Sequence, residues 1–147
     1  MVSDVNSIYF WNNKNEIYSI NSENGSINWK NKITSNLTPI IIQNLIFTIS
    51  EDGFLYTIEK KQGNIIRVND IYKDYKPKKR KDIKPVGFII GRDLLYLSNN
   101  DGKLIVVQLT SGSVLKVEKI SSDFVSKPFI YDKNLFVIKN GSIIKYN

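Results

Sequence analysis

The residues of this chain best suited to chemistry are cations crowded into one short stretch. Between Ile71 and Lys84 the sequence reads Ile-Tyr-Lys-Asp-Tyr-Lys-Pro-Lys-Lys-Arg-Lys-Asp-Ile-Lys, a dense basic run with two tyrosines and a proline. Lys73, Lys76, Lys78, Lys79, Arg80 and Lys81 are the candidate binding residues. Their chemistry is electrostatic: contact with an acidic protein surface, anionic lipid head groups or nucleic acid. Catalytic chemistry has little to draw on. Histidine and cysteine are both absent, which removes Ser-His-Asp, Cys-His and HExxH arrangements, thiolate metal sites and disulfides. The acidic residues, among them Glu51, Asp52, Glu59, Asp93, Asp101 and Asp123, are scattered among turns and strand ends. An aspartate at a hairpin turn is explained by turn chemistry alone. Each glycine likewise stands alone, so no phosphate cradle is formed. The expectation is no catalytic residue, no metal and no cofactor.

A formal charge of +7 on 147 residues accompanies this run. Alanine is missing while Ile, Lys and Asn abound, the bias of an AT-rich coding sequence, so part of the basic surplus has no functional meaning. The length suits one domain with a sizeable core. Met1-Val-Ser-Asp-Val-Asn-Ser shows neither a basic nor an apolar leader region, and runs such as Leu104-Ile-Val-Val107 are too short to cross a bilayer. The chain reads as soluble.

The elements that must carry the basic run are strands. Ile, Val, Tyr, Phe and Thr dominate, helical periodicity is absent, and Gly, Asn and Asp punctuate at short intervals. Turn positions 15, 53, 102 and 141 lie 38, 49 and 39 residues apart, and a glycine follows the first three ten residues later, at Gly25, Gly63 and Gly112. A period near forty filled with short strands is the mark of a β-propeller. With strands A to D numbered outward from the propeller axis, the second blade is A 38–43, B 44–50, C 54–60 and D 64–69. The third is A 86–90, B 93–98, C 103–109 and D 113–120. Partial blades flank them: B 7–12, C 16–21 and D 26–33 before, and A 128–131, B 134–139 and C 142–146 after. Pro39, Pro85 and Pro128 open the A strands, where a missing N–H costs no interior ladder bond.

Ser19-Ile-Asn21-Ser-Glu-Asn-Gly25-Ser-Ile-Asn-Trp29 resembles the Ala-x-Asp-x-x-Thr-Gly-x-x-x-Trp motif of pyrroloquinoline-quinone-type (PQQ-like) propeller repeats. Asn21 stands at the motif's Asp, and Gly25 and Trp29 match its Gly and Trp. The next two copies depart: the Asp position holds Glu59 and Gln108, and the Trp position Arg67 and Lys116. The resemblance implies an all-β partial propeller of about three and a half four-stranded antiparallel blades, most like the C-terminal part of a BamB-type outer-membrane assembly lipoprotein. It further implies a non-enzymatic protein-interaction scaffold with protein partners, periplasmic or outer-membrane-associated, and a Trp29 that packs on the neighbouring blade. Two alternatives stay open. One is a fragment of a PQQ- and calcium-dependent quinoprotein dehydrogenase. The other is a cytoplasmic propeller that binds protein or nucleic acid through its basic loop, although no nucleic acid is the leading expectation.

Further expectations follow. The domain layout is a single propeller domain, 1–147, with blades at 1–37 (partial), 38–70, 85–121 and 128–147 (partial). The segment 71–84 is an exposed insertion loop, of which Lys73 to Lys81 can be deleted without loss of the fold, and it shares an end of the blades with Asp52, Asp101 and Asn140. Fourteen strands leave the first blade without its inner strand and the last without its outer one. Open edges favour self-association or a complementary propeller fragment. Trp11, beside Tyr9 and Phe10, is expected to be buried.

Overall fold

The computed structural model describes residues 1–12 and 14–146. Asn13 and Asn147, at which two of the expected partial blades extend, lie outside the described residues. The described chain forms four antiparallel sheets and divides into two compact units, 1–69 and 70–147.

In the first unit, β1 (Val2–Ser3), β2 (Ser7–Trp11), β3 (Glu16–Asn21) and β4 (Ile27–Lys32) pair in chain order. The first blade therefore has its inner strand, contrary to the expected strand count. Val2 pairs with Tyr9 and Ser3 with Ile8. A two-residue strand shows no alternation. What forms it is Asp4, whose Oδ1 accepts the N–H groups of Asn6 and Ser7 at 3.0 and 2.9 Å and turns the chain back. The second blade is β5 (Ile40–Ile42), β6 (Leu45–Ile49), β7 (Phe54–Glu59) and β8 (Ile65–Asp70).

The two-residue period sends alternate side chains into the unit's core. Tyr9, Ile17, Trp29 and Ile33 meet Ile46 and Ile58. Trp29 is 8% exposed, and its Nε1–H donates to the Lys60 carbonyl at 2.9 Å across 31 residues. Trp11 is half-buried rather than buried, its Nε1–H tied to the Leu37 carbonyl at 2.7 Å.

The repeat motif now has a physical meaning. In each of three C–D turns the glycine N–H bonds back four residues: Gly25 to Asn21, Gly63 to Glu59 and Gly112 to Gln108, at 3.0, 2.9 and 2.7 Å. Asn21 Oδ1 also caps the N–H groups of Glu23 and Asn24. The Glu59 carboxylate does the same for Lys61 and Gln62, and those two backbone bonds hold its pKa below the usual range. At the motif's Asp position Asn21 and Glu59 both supply a side-chain acceptor.

An ion pair joins the two blades of this unit. Lys60 Nζ lies 2.8 Å from Asp4 Oδ2, and the ammonium holds the Asp4 pKa down while Asp4 raises that of Lys60. A depressed carboxylate contributes stability above its ordinary pKa of about 3.9 and loses it as the pH falls through the folded value. The raised lysine contributes below about pH 10.4 and loses its share above that. The pair is partly solvated, so we expect Asp4→Asn to flatten the acid limb of the first unit's stability by under about 1 kcal/mol. Both tryptophans belong to this unit, so fluorescence-detected melts between pH 3 and 7 read it directly. An unchanged acid limb would mean that the pair is not formed in solution.

The second unit holds α1 (Pro77–Asp82), the third blade and the fourth. The third blade is β9 (Pro85–Gly91), β10 (Leu94–Asn99), β11 (Lys103–Gln108) and β12 (Val114–Lys119). The fourth is β13 (Phe129–Tyr131), β14 (Asn134–Lys139) and β15 (Ser142–Tyr146). Leu104 and Ile120 meet Val125, Leu135 and Val137 in the core, flanked by Ile89, Tyr96 and Tyr146. The four B–C turn positions share one conformation: Asn15, Gly53, Gly102 and Gly141 have φ of 62, 82, 73 and 74°. No helix among the described residues is long and apolar enough to cross a membrane.

Candidate interaction surface

The basic segment follows β8 in the second unit, and it is not a bare loop. Ile71, Tyr72 and Ile83 are buried at its two ends, and α1 forms between them. Pro77 starts the helix with its φ preset. Lys79, Arg80 and Lys81 occupy its last turn, where positive charge meets the exposed carbonyls. The helix buries none of its own residues, so the flanks must hold it in place.

Tyr72 is 0% exposed, and its hydroxyl donates to Asn99 Oδ1 at 2.7 Å, inside the B–C hairpin of the third blade. Burial pushes its pKa up strongly. Tyr75 sets its ring edge-on to Tyr72 at 5.5 Å, and its pKa is pushed up to about 12 by burial and by the Asp101 carboxylate. At the far end Asn100 clasps the chain. Its Oδ1 accepts from the Lys84 N–H at 2.8 Å, its Nδ2–H donates to the Asp82 carbonyl at 2.9 Å, and its own N–H donates to the Lys84 carbonyl at 2.9 Å. The segment is docked on the hairpin that carries Asp101.

Two of the six candidate cations are turned to this task. Arg80 Nη1 lies 2.7 Å from Asp70 Oδ2. Lys79 stands 3.9 Å from Asp101 Oδ2, which Lys103 approaches to 3.7 Å from the other strand. Both ammonium groups also face the Tyr75 ring, Lys103 at 4.7 Å and Lys79 at 5.9 Å from its centroid. Desolvation lowers the Lys103 pKa, opposed by Asp101 and reinforced by Lys79. The other four, Lys73, Lys76, Lys78 and Lys81, are exposed and make no ion pair among the described residues.

The expectation of a dispensable loop is corrected accordingly: deleting 73–81 would remove Tyr75, Arg80 and all of α1 but Asp82. Reading the run as charge alone missed the parts played by Tyr72, Tyr75, Asp70, Asn99, Asn100 and Lys103. The available signal was the apolar bracket of Ile71-Tyr72 and Ile83 around the charges. Of the residues expected near this segment, Asp101 is brought to it. Among the described residues no three acidic side chains gather as metal ligands.

The comparisons with known proteins bear on the blades. Residues 1–69 match the family model described as outer membrane protein assembly factor BamB. No curated protein sequence matches the chain. Among solved structures, BamB from Moraxella catarrhalis superposes with a TM-score of 0.70 at 13% identity, covering 97% of this chain and 42% of that one. Sqt1 from Saccharomyces cerevisiae gives 0.71 at 14% identity, over 91% of this chain and 39% of that one. A europium-containing methanol dehydrogenase gives 0.59 at 12% identity, over 76% of this chain and 23% of that one. The chain thus spans less than half the length of the natural proteins it matches. Its strand order, its turns and these superpositions agree on a partial β-propeller, and over residues 1–69 the chain is similar to the PQQ-like repeats of BamB.

Proposed function

We propose that the chain is a non-enzymatic protein-interaction scaffold of the BamB kind, working at the outer membrane in the assembly of β-barrel proteins. The observation that carries this reading is the match of residues 1–69 to the BamB family model, supported by the second unit's docked basic segment, which offers a partner a preformed surface. The same reading gives the chain periplasmic or outer-membrane-associated protein partners. It also includes contact with another propeller blade, in a second copy or a complementary segment. In the fourth blade Phe129 stacks on Phe136 at 5.4 Å, and Tyr131, Ile138 and Ile143 beside them are exposed, an apolar face of the kind a neighbouring blade covers.

The test is binding of the purified chain to a purified outer-membrane β-barrel assembly complex, followed by titration calorimetry. Saturable binding is the expected result, and no heat at any accessible concentration would overturn the reading. The likeness to methanol dehydrogenase favours one competing function, a quinone-dependent dehydrogenase. Titration with pyrroloquinoline quinone and calcium or a lanthanide, read by absorbance, separates the two. Saturable, metal-dependent quinone binding would replace the scaffold reading.

A further inference from the structure

Residues 71–84 contain seven basic and two acidic side chains, and so hold five of the chain's seven surplus positive charges. The structure sorts these cations into two groups. Lys79 and Arg80 hold the segment to Asp101 and Asp70. Lys73, Lys76, Lys78 and Lys81 project into solvent from α1 and the turn before it.

We propose that these four lysines form a docking surface for an acidic polypeptide segment, an inference that rests on the scaffold reading and names the partner's chemistry. Three features select a run of carboxylates over other anions. The first is the kind of cation. Arg80, the segment's one guanidinium and the group best shaped for bidentate phosphate contact, is committed to Asp70 at 2.7 Å. What remains are ammonium point charges, which meet spaced carboxylates one at a time. The second is the absence of an insertion face. The helix reads Pro-Lys-Lys-Arg-Lys-Asp, with no large apolar side chain to enter a bilayer. The third is the position of the rings. Tyr72 is buried and Tyr75 sits between Lys79 and Lys103, so neither is offered for a base to stack on. The Tyr72 and Asn100 bonds also fix the platform beforehand, so a partner need not order a loop in order to bind.

The probes are poly-L-glutamate, phosphatidylglycerol vesicles and a single-stranded oligonucleotide, each titrated against the full chain. Poly-L-glutamate is expected to bind more tightly than the other two and to weaken steadily with salt, as exposed charges do over a Debye length of about 8–10 Å. Replacing Lys73, Lys76, Lys78 and Lys81 together with Gln should weaken it by about tenfold or more without moving the melting temperature. The matching Arg replacements should restore it. A control that neutralises four exposed lysines elsewhere, Lys14, Lys32, Lys133 and Lys145, should change binding less than twofold. Three results would overturn the proposal: equal losses in the control and the α1 variant, which would make net charge the cause; no loss in the α1 variant; or tighter binding of vesicles or oligonucleotide. If the assembly complex binds the α1 variant as well as the parent chain, this surface fails while the scaffold reading stands. Lysine-dependent poly-L-glutamate binding without any binding to the complex gives the reverse.

Discussion

Trp29→Ala is expected to destabilise the first unit by about 3–5 kcal/mol, as large aromatic truncations in cores do. In a chain of this size that lowers the melting temperature by about 10 °C or more. The ring fills the space between the two blades of that unit, 5.9 Å from the Tyr9 ring, and its indole N–H satisfies the Lys60 carbonyl. Trp29→Phe keeps most of the contact area but leaves that carbonyl without its donor, so about 1–2 kcal/mol is expected there. Gly63 makes the site a matched pair. It lies flat against the indole, and a Cβ built on it would come within 2.5 Å of Trp29 Cδ2. Gly63 has φ of 76°, so Gly63→Ala should keep a backbone cost of roughly 1–2 kcal/mol in either background and lose only its steric part once residue 29 is Ala. A double-mutant cycle by urea denaturation measures this coupling. Additive effects would mean that the indole does not rest on Gly63.

Gly102→Ala is expected to be the most damaging single-methyl change in the second unit. Gly102 has φ of 73°, where an L side chain costs roughly 1–2 kcal/mol. A Cβ there would also press against the Ser121 carbonyl oxygen and come within 2.9 Å of that of Asp123. Those are backbone atoms, and Gly102's own carbonyl accepts from Ile120 and Ser121 at 2.9 and 3.1 Å. Relief therefore has to move the strand connection itself, which adds about 1–3 kcal/mol on the scale of overpacking. Gly141 offers the control. Its φ is 74°, yet nothing lies within 4 Å of a Cβ built on it. Gly141→Ala should show the backbone cost alone, and thermal melts that ranked the two variants equally would refute the steric part of the argument.

The blades were legible because their turns are chemically marked. Positions 15, 53, 102 and 141 hold Asn or Gly, and all four adopt positive φ. Alternation between them then placed the strands to within a residue or two. β1 escaped because two residues carry no period, although Asp4 was an available turn signal. α1 escaped for a different reason. Its sequence has no apolar face, so nothing in its own six residues distinguishes a docked helix from a solvated loop. The order comes from outside the helix, from Tyr72 on Asn99 and Lys84 on Asn100, contacts 27 and 16 residues apart. Charge density read correctly as exposure for Lys73, Lys76, Lys78 and Lys81, but gave no sign that Lys79 and Arg80 are structural.

The three C–D turns also show how such a chain can drift. What each turn asks of the first motif position is a carbonyl for the glycine N–H four residues on, and Asn21 and Glu59 add a side-chain oxygen that accepts from the turn. Gln108 keeps the main-chain bond, and its Nε2–H donates to Thr110 Oγ1 at 3.3 Å. The inherited requirement is therefore a pattern of hydrogen bonds, and many spellings satisfy it. Substitutions can accumulate at such positions without disturbing the blade, so alphabetic likeness to other propellers fades long before the geometry does. A search for further members of this group would do better to weigh the spacing of left-handed turns than the identity of the residues between them.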